Sequence, residues 1–412
     1  MATGRPIHLD VLIFGGGAAG LWLLGHLRRQ GYQALLLERS AFGAGQTIAS
    51  QGIIHGGLKY TLAGLFTESA RAIRDMPARW RQSLAGRRPP DLRRTLLRSE
   101  VCFLWRTGTI RSRAGHIGAR AALQVRPQKV APAQRPEALR DCPGQVYRVD
   151  EQVLSPPSFL GVLSKPQEDA TIRFDPDTGL ELECRAPGQI TAVRIGNPED
   201  PKSALDLRPR LVVLSAGEGN QGLRQHAGLG PGAMQRRPLH MVLARGDLPV
   251  LNGHCTDGTR TRVTITTDKD AQGRTIWQIG GQVSEDGVRL DRESLIAHAL
   301  REVRHCLPGV ELERAQWSTY RVDRAEPATA TGQRPDNAYA KREGNVITAW
   351  PTKLALVPHL VDLITQLLEP PGAPKRFEWP GDLLAPWPRP RVAQPPWETV
   401  DQWTHDHWAA PA

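Results

Sequence analysis

Two largely apolar runs near the N-terminus predict the opening strands of a parallel sheet. Leu9–Phe14 (LDVLIF) and Ala34–Glu38 (ALLLE) lack the alternation of a strand with one solvent-exposed face, so both of their faces are expected to be buried. Between them, a glycine cluster leads into a stretch with Leu21, Leu24 and Leu27 at helical spacing. The chain therefore opens with a β–α–β unit.

Further strands and one more helix are predicted along the rest of the chain. Leu211–Leu214 (LVVL) predicts a third buried strand, Asn345–Ala349 a fourth, and Lys353–Glu369 a helix with one apolar face. Residues 238–290 contain short strand-like pieces separated by turn signals, namely Leu239–Ala244, Thr261–Thr266 and Thr275–Ile279. This pattern is typical of an antiparallel sheet that covers a ligand.

The glycines after the first strand form a dinucleotide-binding fingerprint. Residues 15–20 read Gly-Gly-Gly-Ala-Ala-Gly, which is G-x-G-x-x-G between a predicted strand and a predicted helix. Gly15 permits the tight turn, Gly17 lets the backbone approach a pyrophosphate, and Gly20 allows the helix to pack closely on the sheet. Glu38 ends the second strand, where a carboxylate can accept both ribose hydroxyls and disfavours a 2′-phosphate. We expect the helix N-terminus to bind the phosphates of a dinucleotide other than NADP.

Length and composition limit the class of protein. The chain has 412 residues, enough for two or three structural units, and its 40% apolar and 23% charged residues are typical of a globular protein. No apolar run reaches the ~18–20 residues of a membrane span, and the first residues lack the apolar stretch of a secretory signal. The five cysteines are widely spaced and include no C-x-x-C pair. We expect a cytoplasmic protein without a metal site.

The positive charge is concentrated in one arginine-rich stretch. The chain has 53 Lys and Arg against 42 Asp and Glu, a formal net charge of +11, and residues 71–140 alone carry 16 Arg and one Lys against four acidic residues. Such a stretch could bind a nucleic-acid backbone. It could equally reflect an arginine-rich coding bias on solvated helix faces, since it has few interleaved aromatic residues and no nucleic-acid motif. We therefore do not expect nucleic acid to be the partner.

The C-terminal segment differs in composition from the rest of the chain. Residues 370–412 carry ten prolines and five tryptophans, which is too many prolines for a domain and too many aromatic residues for a disordered linker. We expect this tail to lie extended over the body of the protein, with its indoles buried in grooves. It could also bind a protein partner.

A second motif follows the β–α–β unit, where residues 47–60 read T-I-A-S-Q-G-I-I-H-G-G-L-K-Y. This run resembles the flavin-facing loop of the D-amino-acid oxidase family of FAD enzymes, and most closely that of its glycerol-3-phosphate dehydrogenase and L-2-hydroxyglutarate dehydrogenase branches. Three further segments are similar to the family: the strand that carries His240, the Trp317–Arg321 segment (WSTYR), and residues 345–354, which resemble a terminal loop ending in G-G-K-L-T.

This sequence departs from the family pattern in two places. Trp350 and Pro351 replace the glycine pair of the terminal loop, and the Pro/Trp-rich tail replaces the C-terminal helical domain of many glycerol-3-phosphate dehydrogenases. The shape of the pocket at that loop and the identity of the substrate are therefore not transferred from the family.

The resemblance implies an α/β protein with a Rossmann-like FAD-binding domain and an inserted antiparallel-sheet substrate domain. We assign residues 1–80, 141–235 and 330–370 to the discontinuous FAD-binding domain, residues 81–140 and 236–329 to the substrate domain, and residues 371–412 to the tail. The implied reaction is hydride transfer to N5 of FAD from a C–OH or C–NH carbon of a small anionic substrate. Two other functions stay open: a tRNA-modifying flavoenzyme that uses the arginine-rich stretch, and the flavin subunit of a larger complex.

The residues that match the family's motifs give a candidate site. The expected catalytic residues are His55 or His240 as the proton acceptor, Arg321 as the anion-binding guanidinium, and Lys353 beside the flavin ring. The expected substrate contacts are Lys59, Tyr60, Arg321 and Arg334. The expected cofactor contacts are Gly15, Gly17, Ala18, Ala19, Gly20, Glu38, Arg39, Thr47, Ser50, Gln51, Gly52, Ala216, Gly217, Thr352, Lys353 and Leu354. The electron acceptor could be oxygen, a quinone or another protein.

Overall fold

The computed structural model describes residues 6–56, 75–108, 127–257, 260–372 and 379–405. Its strands are β1 Ile7–Phe14, β2 Ala34–Glu38, β3 Leu97–Ser99, β4 Cys102–Trp105, β5 Gln128–Lys129, β6 Val146–Val149, β7 Val153–Leu154, β8 Thr171–Arg173, β9 Leu180–Ala186, β10 Gln189–Asn197, β11 Asp200–Leu214, β12 Met234–Gly246, β13 Gly253–Asp257, β14 Arg260–Lys269, β15 Thr275–Gly280, β16 Gln316–Pro327, β17 Tyr339–Glu343, β18 Val346–Trp350 and β19 Thr404–His405. Its helices are α1 Ala18–Arg29, α2 Met76–Leu84, α3 Pro156–Ser164, α4 Pro176–Gly179, α5 Asn220–His226, α6 Gln282–Asp286, α7 Arg292–Cys306, α8 Val357–Gln366, α9 Gly381–Leu384 and α10 Pro396–Thr399. Among the helices described, none is both long enough and apolar enough to cross a membrane.

A largely parallel sheet is built around the two N-terminal strands. Its strand order is β17-β18-β11-β1-β2-β8, with β10 paired to β11 and β9 paired to β10. The five strands from β18 to β8 run parallel, and β17 is antiparallel at the edge. Both faces of β1 are buried: Val11 and Ile13 join the cluster that contains α1 and α8, whereas Leu12 and Phe14 join a cluster on the other face. The α/β class and the buried N-terminal strands predicted from the sequence are confirmed.

A second sheet is mostly antiparallel and has the order β19-β16-β12-β15-β14-β13-β4-β6-β5. Its single parallel pair among the described strands is β13 with β4. One face packs against α7, where Leu295 and Val303 join Trp277 and Trp317 in a fully buried cluster. Because side chains alternate along a strand, the opposite face is left to contact the cavity that contains the candidate site.

The domain boundaries given above stay a prediction. The pairing of strands does show which segments form the same sheet. Residues 146–149 form β6 inside a segment assigned to the FAD-binding domain, yet β6 pairs with β4 of the second sheet. Helix α2 crosses the predicted boundary at residue 80 and belongs by its packing with the first sheet. Its Trp80 ring lies 4.9 Å from that of Trp22 in α1, and its indole N–H donates to the carbonyl of Ala355 at 3.0 Å.

The described part of the tail, residues 379–405, lies along both sheets. Trp387 is buried against the first sheet, and Val392 forms a β-bridge with Phe42. Farther along, Trp397 is buried against Leu243 of the second sheet, and β19 pairs with β16 at the edge of that sheet. The predicted burial of the tail's indoles is confirmed for these two tryptophans.

Candidate active site

The turn between β1 and α1 can accommodate only glycine at two positions. Gly15 has a φ of +102°, and a Cβ atom there would lie 2.5 Å from Cα of Ala216. A Cβ atom on Gly20 would lie 2.0 Å from the carbonyl oxygen of Gly15, so α1 packs directly on the turn. Gly17 is the extended residue that precedes α1, and no acidic residue lies in the first turn of that helix. The N-terminus of α1 and the positive end of its dipole are therefore available for an anion.

Glu38 holds the other side of this turn. Its Oε2 accepts the N–H of Gly16 at 2.7 Å, and its Oε1 accepts the N–H of Ser40 at 2.9 Å. The carboxylate is buried but retains further lone pairs, which could accept hydroxyl donors from a ribose. The neighbouring Arg39 is exposed and forms a 3.3 Å ion pair with Glu218.

A single cavity of about 800 Å³ joins the glycine turn, the end of β11, the segment before α8 and the second sheet. The predicted cofactor residues that line it are Gly15, Gly17, Ala18, Ala19, Glu38, Arg39, Thr47, Ser50, Gln51, Ala216, Gly217, Thr352, Lys353 and Leu354. Gly20 and Gly52 shape the site from behind this lining, since a Cβ atom on either would lie 2.0 Å from a backbone oxygen. A helix N-terminus, a buried carboxylate and a volume within the usual range for ligand sites together fit a dinucleotide.

The segment before α8 forms another wall of the cavity. Lys353 is 7% exposed, and its ammonium group donates a hydrogen bond to the carbonyl of Asp336 at 3.2 Å. The indole N–H of Trp350 donates to the carbonyl of Gly217 at 3.1 Å. The tryptophan that departs from the family pattern therefore ties this wall to the turn after β11.

His55 lies in a loop held by a segment distant in sequence. Backbone hydrogen bonds of 2.9 and 3.0 Å join residues 52–54 to residues 152–154. Nδ1 of His55 lies 3.5 Å from Oε2 of Glu151, and its ring lies 5.3 Å from the ring of His254 on β13. Both histidines line the cavity.

His240, the second candidate proton acceptor, lies behind the cavity wall. It does not line the cavity in the described part of the chain. Its Nδ1 lies 3.1 Å from the carbonyl oxygen of Gly287, and its Nε2 lies 3.0 Å from Oγ1 of Thr319. Burial, and then the charge of Arg321, lower the pKa of His240, so the ring is neutral at neutral pH. With a protein partner on each ring nitrogen, His240 supports the strand and takes no part in the reaction proposed below.

Arg321 and Arg324 lie on opposite faces of β16, because they are three positions apart and side chains alternate along a strand. Arg321 lies opposite His240 in the strand register, and its guanidinium donates to the carbonyls of Val288 and Leu290 at 3.0 Å each. Part of Arg321 reaches the cavity lining, but the residue is exposed and two of its N–H groups bind backbone. The role of Arg321 as the anion-binding arginine stays a prediction.

Arg324 and Arg334 carry positive charge into the cavity lining. Burial, and then the nearby Arg237 and Arg334, lower the pKa of Arg324 to about 10, which leaves it protonated at neutral pH. Nη2 of Arg324 lies 3.5 Å from Oε1 of Glu285, and Glu326 accepts from Arg237 at 2.6 Å. Arg324 and Arg237 therefore each lie beside a carboxylate.

Some predicted site residues cannot be placed. Lys59 and Tyr60 lie outside the described residues, as do residues 71–74 and 109–126 of the arginine-rich stretch, and their roles stay predictions. Sequence reasoning missed two residues of the cavity lining, Arg324 and His254, and the neighbouring Glu151. The parity of positions along β16 could have indicated Arg324, whereas no local motif marks Glu151 or His254.

The glycine turn, the buried carboxylate and the cavity against a second sheet define a dinucleotide-binding oxidoreductase. The model of the FAD dependent oxidoreductase family (DAO) matches residues 10–343. The chain is 41% identical over 402 residues to the probable FAD-dependent oxidoreductase PA4991 of Pseudomonas aeruginosa, covering 96% of this chain and 99% of that protein. The chain therefore belongs to this family and is an FAD-dependent enzyme, as the resemblance of residues 47–60 implied.

Solved structures share the fold. The crystal structure of PA4991 from Pseudomonas aeruginosa aligns with a TM-score of 0.78 at 36% identity, covering 96% of this chain and 99% of that one. Glycine oxidase from Geobacillus kaustophilus aligns with a TM-score of 0.62 at 16% identity, covering 94% and 100%. The L-alpha-glycerophosphate oxidase of Mycoplasma pneumoniae, with FAD bound, aligns with a TM-score of 0.60 at 14% identity, covering 91% and 98%. At these identities the last two show the fold alone.

Proposed function

We propose that this enzyme oxidises a carbon bearing a hydroxyl or an amino group in a small anionic substrate. The observation that carries the proposal is that a histidine, His55, and a partly buried guanidinium, Arg324, line the same cavity as the dinucleotide-binding turn. The first can accept a proton and the second can bind a carboxylate or a phosphate. When bound, FAD supplies the acceptor for the hydride that leaves the substrate carbon.

His55 takes the proton that the substrate hydroxyl or amino group loses. Its side chain is 26% exposed, so the ring is accessible from the cavity while its loop is fixed by backbone hydrogen bonds to residues 152–154. A base on a fixed loop can hold one position relative to the substrate O–H or N–H group, which is what proton transfer requires.

Arg324 binds the anionic end of the substrate, and Arg334 adds charge beside it. A planar guanidinium can donate two parallel hydrogen bonds to a carboxylate or phosphate, which fixes the orientation of the substrate as well as its affinity. Arg324 and Arg334 both line the cavity, so an anion that enters it can meet guanidinium N–H donors.

Two structures with this fold are named for glycine and L-alpha-glycerophosphate, and both molecules are small and carry an anionic group, a carboxylate or a phosphate. Those names support the chemical class without selecting one substrate. Among the described residues, no observation favours binding of tRNA, and the buried indoles of the tail contact this chain itself.

Anaerobic bleaching of the flavin tests the proposal directly. The FAD-loaded protein is mixed with a panel of amino acids, 2-hydroxy acids and sugar phosphates, and loss of the yellow absorbance identifies the substrate. With that substrate, we expect Arg324→Ala to retain FAD and to lose roughly 30-fold to several thousand-fold in kcat/KM, because a partly buried anion loses about 2–5 kcal/mol with its charged partner.

Arg321→Ala is the matched control, since it removes the same side chain from the opposite face of the same strand. We expect it to remain within a few-fold of wild type. A large loss in Arg321→Ala together with normal turnover in Arg324→Ala would place the anion at the arginine expected from the sequence. Bleaching by no anionic member of the panel, in protein that carries FAD, would refute the proposed substrate class.

A further inference from the structure

A buried glutamate lies beside two histidines of the cavity wall, and the proposed reaction uses only one of these three residues. Ligating atoms of His55, Glu151 and His254 all lie within 4.8 Å of one another. The side chain of Glu151 is 5% exposed. A carboxylate so removed from water is costly unless hydrogen-bond donors and positive charge surround it. We therefore expect the negative charge of Glu151 to have a role beside the two histidines.

Glu151 contacts both the backbone and the ring of the His55 loop. Its Oε1 accepts the N–H of Gly56 at 2.6 Å, a short bond to the residue that follows His55. Its other oxygen, Oε2, lies 3.5 Å from Nδ1 of His55. That separation is long for a hydrogen bond, but catalytic hydrogen bonds are often long without substrate and shorten in the complex. One carboxylate thus contacts both the backbone that follows His55 and the Nδ1 side of its ring.

His254 limits the movement of the His55 ring from the other side. Nδ1 of His254 lies 2.8 Å from Oγ1 of Thr264, which fixes the orientation of this imidazole on the sheet. The two imidazole rings lie 5.3 Å apart at 31° to each other. Two imidazoles this close disfavour two positive charges, whereas Glu151 can balance one. A single imidazolium in the cluster is therefore the arrangement that the charges favour.

We propose that Glu151 is the positioning residue for proton transfer, an inference that rests on the proposed function. It holds His55 with Nδ1–H toward the carboxylate, which leaves Nε2 for the substrate. The substrate O–H or N–H bond breaks, an N–H bond forms at Nε2, and the imidazolium is stabilised by a carboxylate that stays ionised throughout. The ring of His254 packs beside the ring that takes the proton.

The first test needs no substrate. Diethyl pyrocarbonate acylates neutral imidazole, so the pH dependence of His55 labelling, read by peptide mass spectrometry in the FAD-loaded full chain, gives the pKa of His55. Besides Glu151 and His254, the thiol of Cys102 on β4 lies near this cluster, and burial, then the charge of Glu151, raise the pKa of that thiol. Cys102 therefore stays neutral at neutral pH. In Glu151→Gln the imidazolium loses its counter-charge, so we expect labelling of His55 to extend to lower pH than in the wild-type protein.

Asp270→Asn is the matched control for this measurement. It removes a buried carboxylate from the turn between β14 and β15, where Asp270 binds Arg274 at 2.7 Å and does not line the described cavity. We expect the labelling profile of His55 to be unchanged in this variant. An unchanged pKa of His55 in folded, FAD-loaded Glu151→Gln would overturn the proposal, whatever the substrate is.

The second test uses the substrate found by flavin bleaching. We expect Glu151→Gln to lower kcat by about 10²–10⁴-fold with little change in KM, and Glu151→Asp to restore part of the loss. A normal kcat in Glu151→Gln would also overturn the proposal. Failure of every panel member to reduce wild-type enzyme would instead count against the proposed function and leave the labelling result valid. A stoichiometric metal ion in the wild-type protein that Glu151→Gln lacks would show that the cluster is a metal site.

Discussion

Replacing Gly20 by alanine tests whether close packing of α1 on the glycine turn holds the cofactor. The added Cβ atom would lie 2.0 Å from the carbonyl oxygen of Gly15 and 2.9 Å from Oγ of Ser215. Unstrained contacts of this kind lie at about 3.5 Å, so the helix and the turn must separate by about 1.5 Å. The turn itself cannot retreat, because Gly15 already packs on the backbone of Ala216.

Overpacking of this kind costs about 1–3 kcal/mol. The displaced atoms include the N-terminus of α1, which is the part of the turn that faces an anion. If the same free energy is lost from binding, the dissociation constant for FAD rises roughly 5- to 150-fold. The assay is titration of apoprotein with FAD, followed by the quenching of flavin fluorescence, with unfolding in urea measured in parallel.

Gly25→Ala is the matched control, because it makes the same substitution in the same helix away from the turn. A Cβ atom on Gly25 would meet only the ends of flexible side chains, Nε2 of Gln167 at 3.3 Å and Nη1 of Arg29 at 3.4 Å. Alanine is also favoured over glycine inside a helix by about 1 kcal/mol. We expect unchanged FAD affinity and equal or greater stability. Equal FAD affinity in Gly20→Ala and Gly25→Ala would refute the inference that this contact positions the phosphate-binding turn.

Two further predictions concern stability. Trp397→Ala should lower the free energy of unfolding by about 3–5 kcal/mol, since the indole is 4% exposed and lies 5.4 Å from the guanidinium carbon of Arg98. Urea unfolding measures this loss, and Val250→Ala, at an exposed position, is the control. A loss below about 1 kcal/mol would contradict packing of the tail against the second sheet. Arg224 donates a hydrogen bond to Glu343 at 2.6 Å, which holds the pKa of Glu343 below its usual value. This interaction should therefore stabilise the folded protein fully only at a pH above the usual pKa of a glutamate carboxyl. Glu343→Gln should therefore be less stable than wild type at neutral pH, and the difference should disappear as the pH falls through the lowered pKa; a difference that persists in acid would refute this origin.

The parts of the fold that could be predicted are those whose signal is local. Leu9–Phe14 and Ala34–Glu38 are nearly continuous apolar runs, and burial on both faces requires that pattern wherever such a strand lies in a sheet. Strand β11 was predicted only at Leu211–Leu214, although it begins at Asp200. Its first half pairs with β10 in an antiparallel hairpin and alternates between buried and partly exposed residues, so it lacks the continuous apolar signal.

The candidate site was predicted less completely, because its chemistry depends on register and on contacts between distant segments. His55 could be found since its motif is contiguous, whereas Glu151 and His254 reach it only through the pairing of the 52–54 loop with residues 152–154 and through the second sheet. The two arginines of β16, Arg321 and Arg324, also show that a sequence motif does not determine the face on which a side chain lies. A motif gives a position in a strand, but the face on which a side chain lies changes with every residue. Arg321 matches the motif and lies opposite His240 in the register, Arg324 lies on the other face of the strand, and both residues line the cavity. Comparing the activities of Arg321→Ala and Arg324→Ala therefore tests which face of β16 binds the substrate.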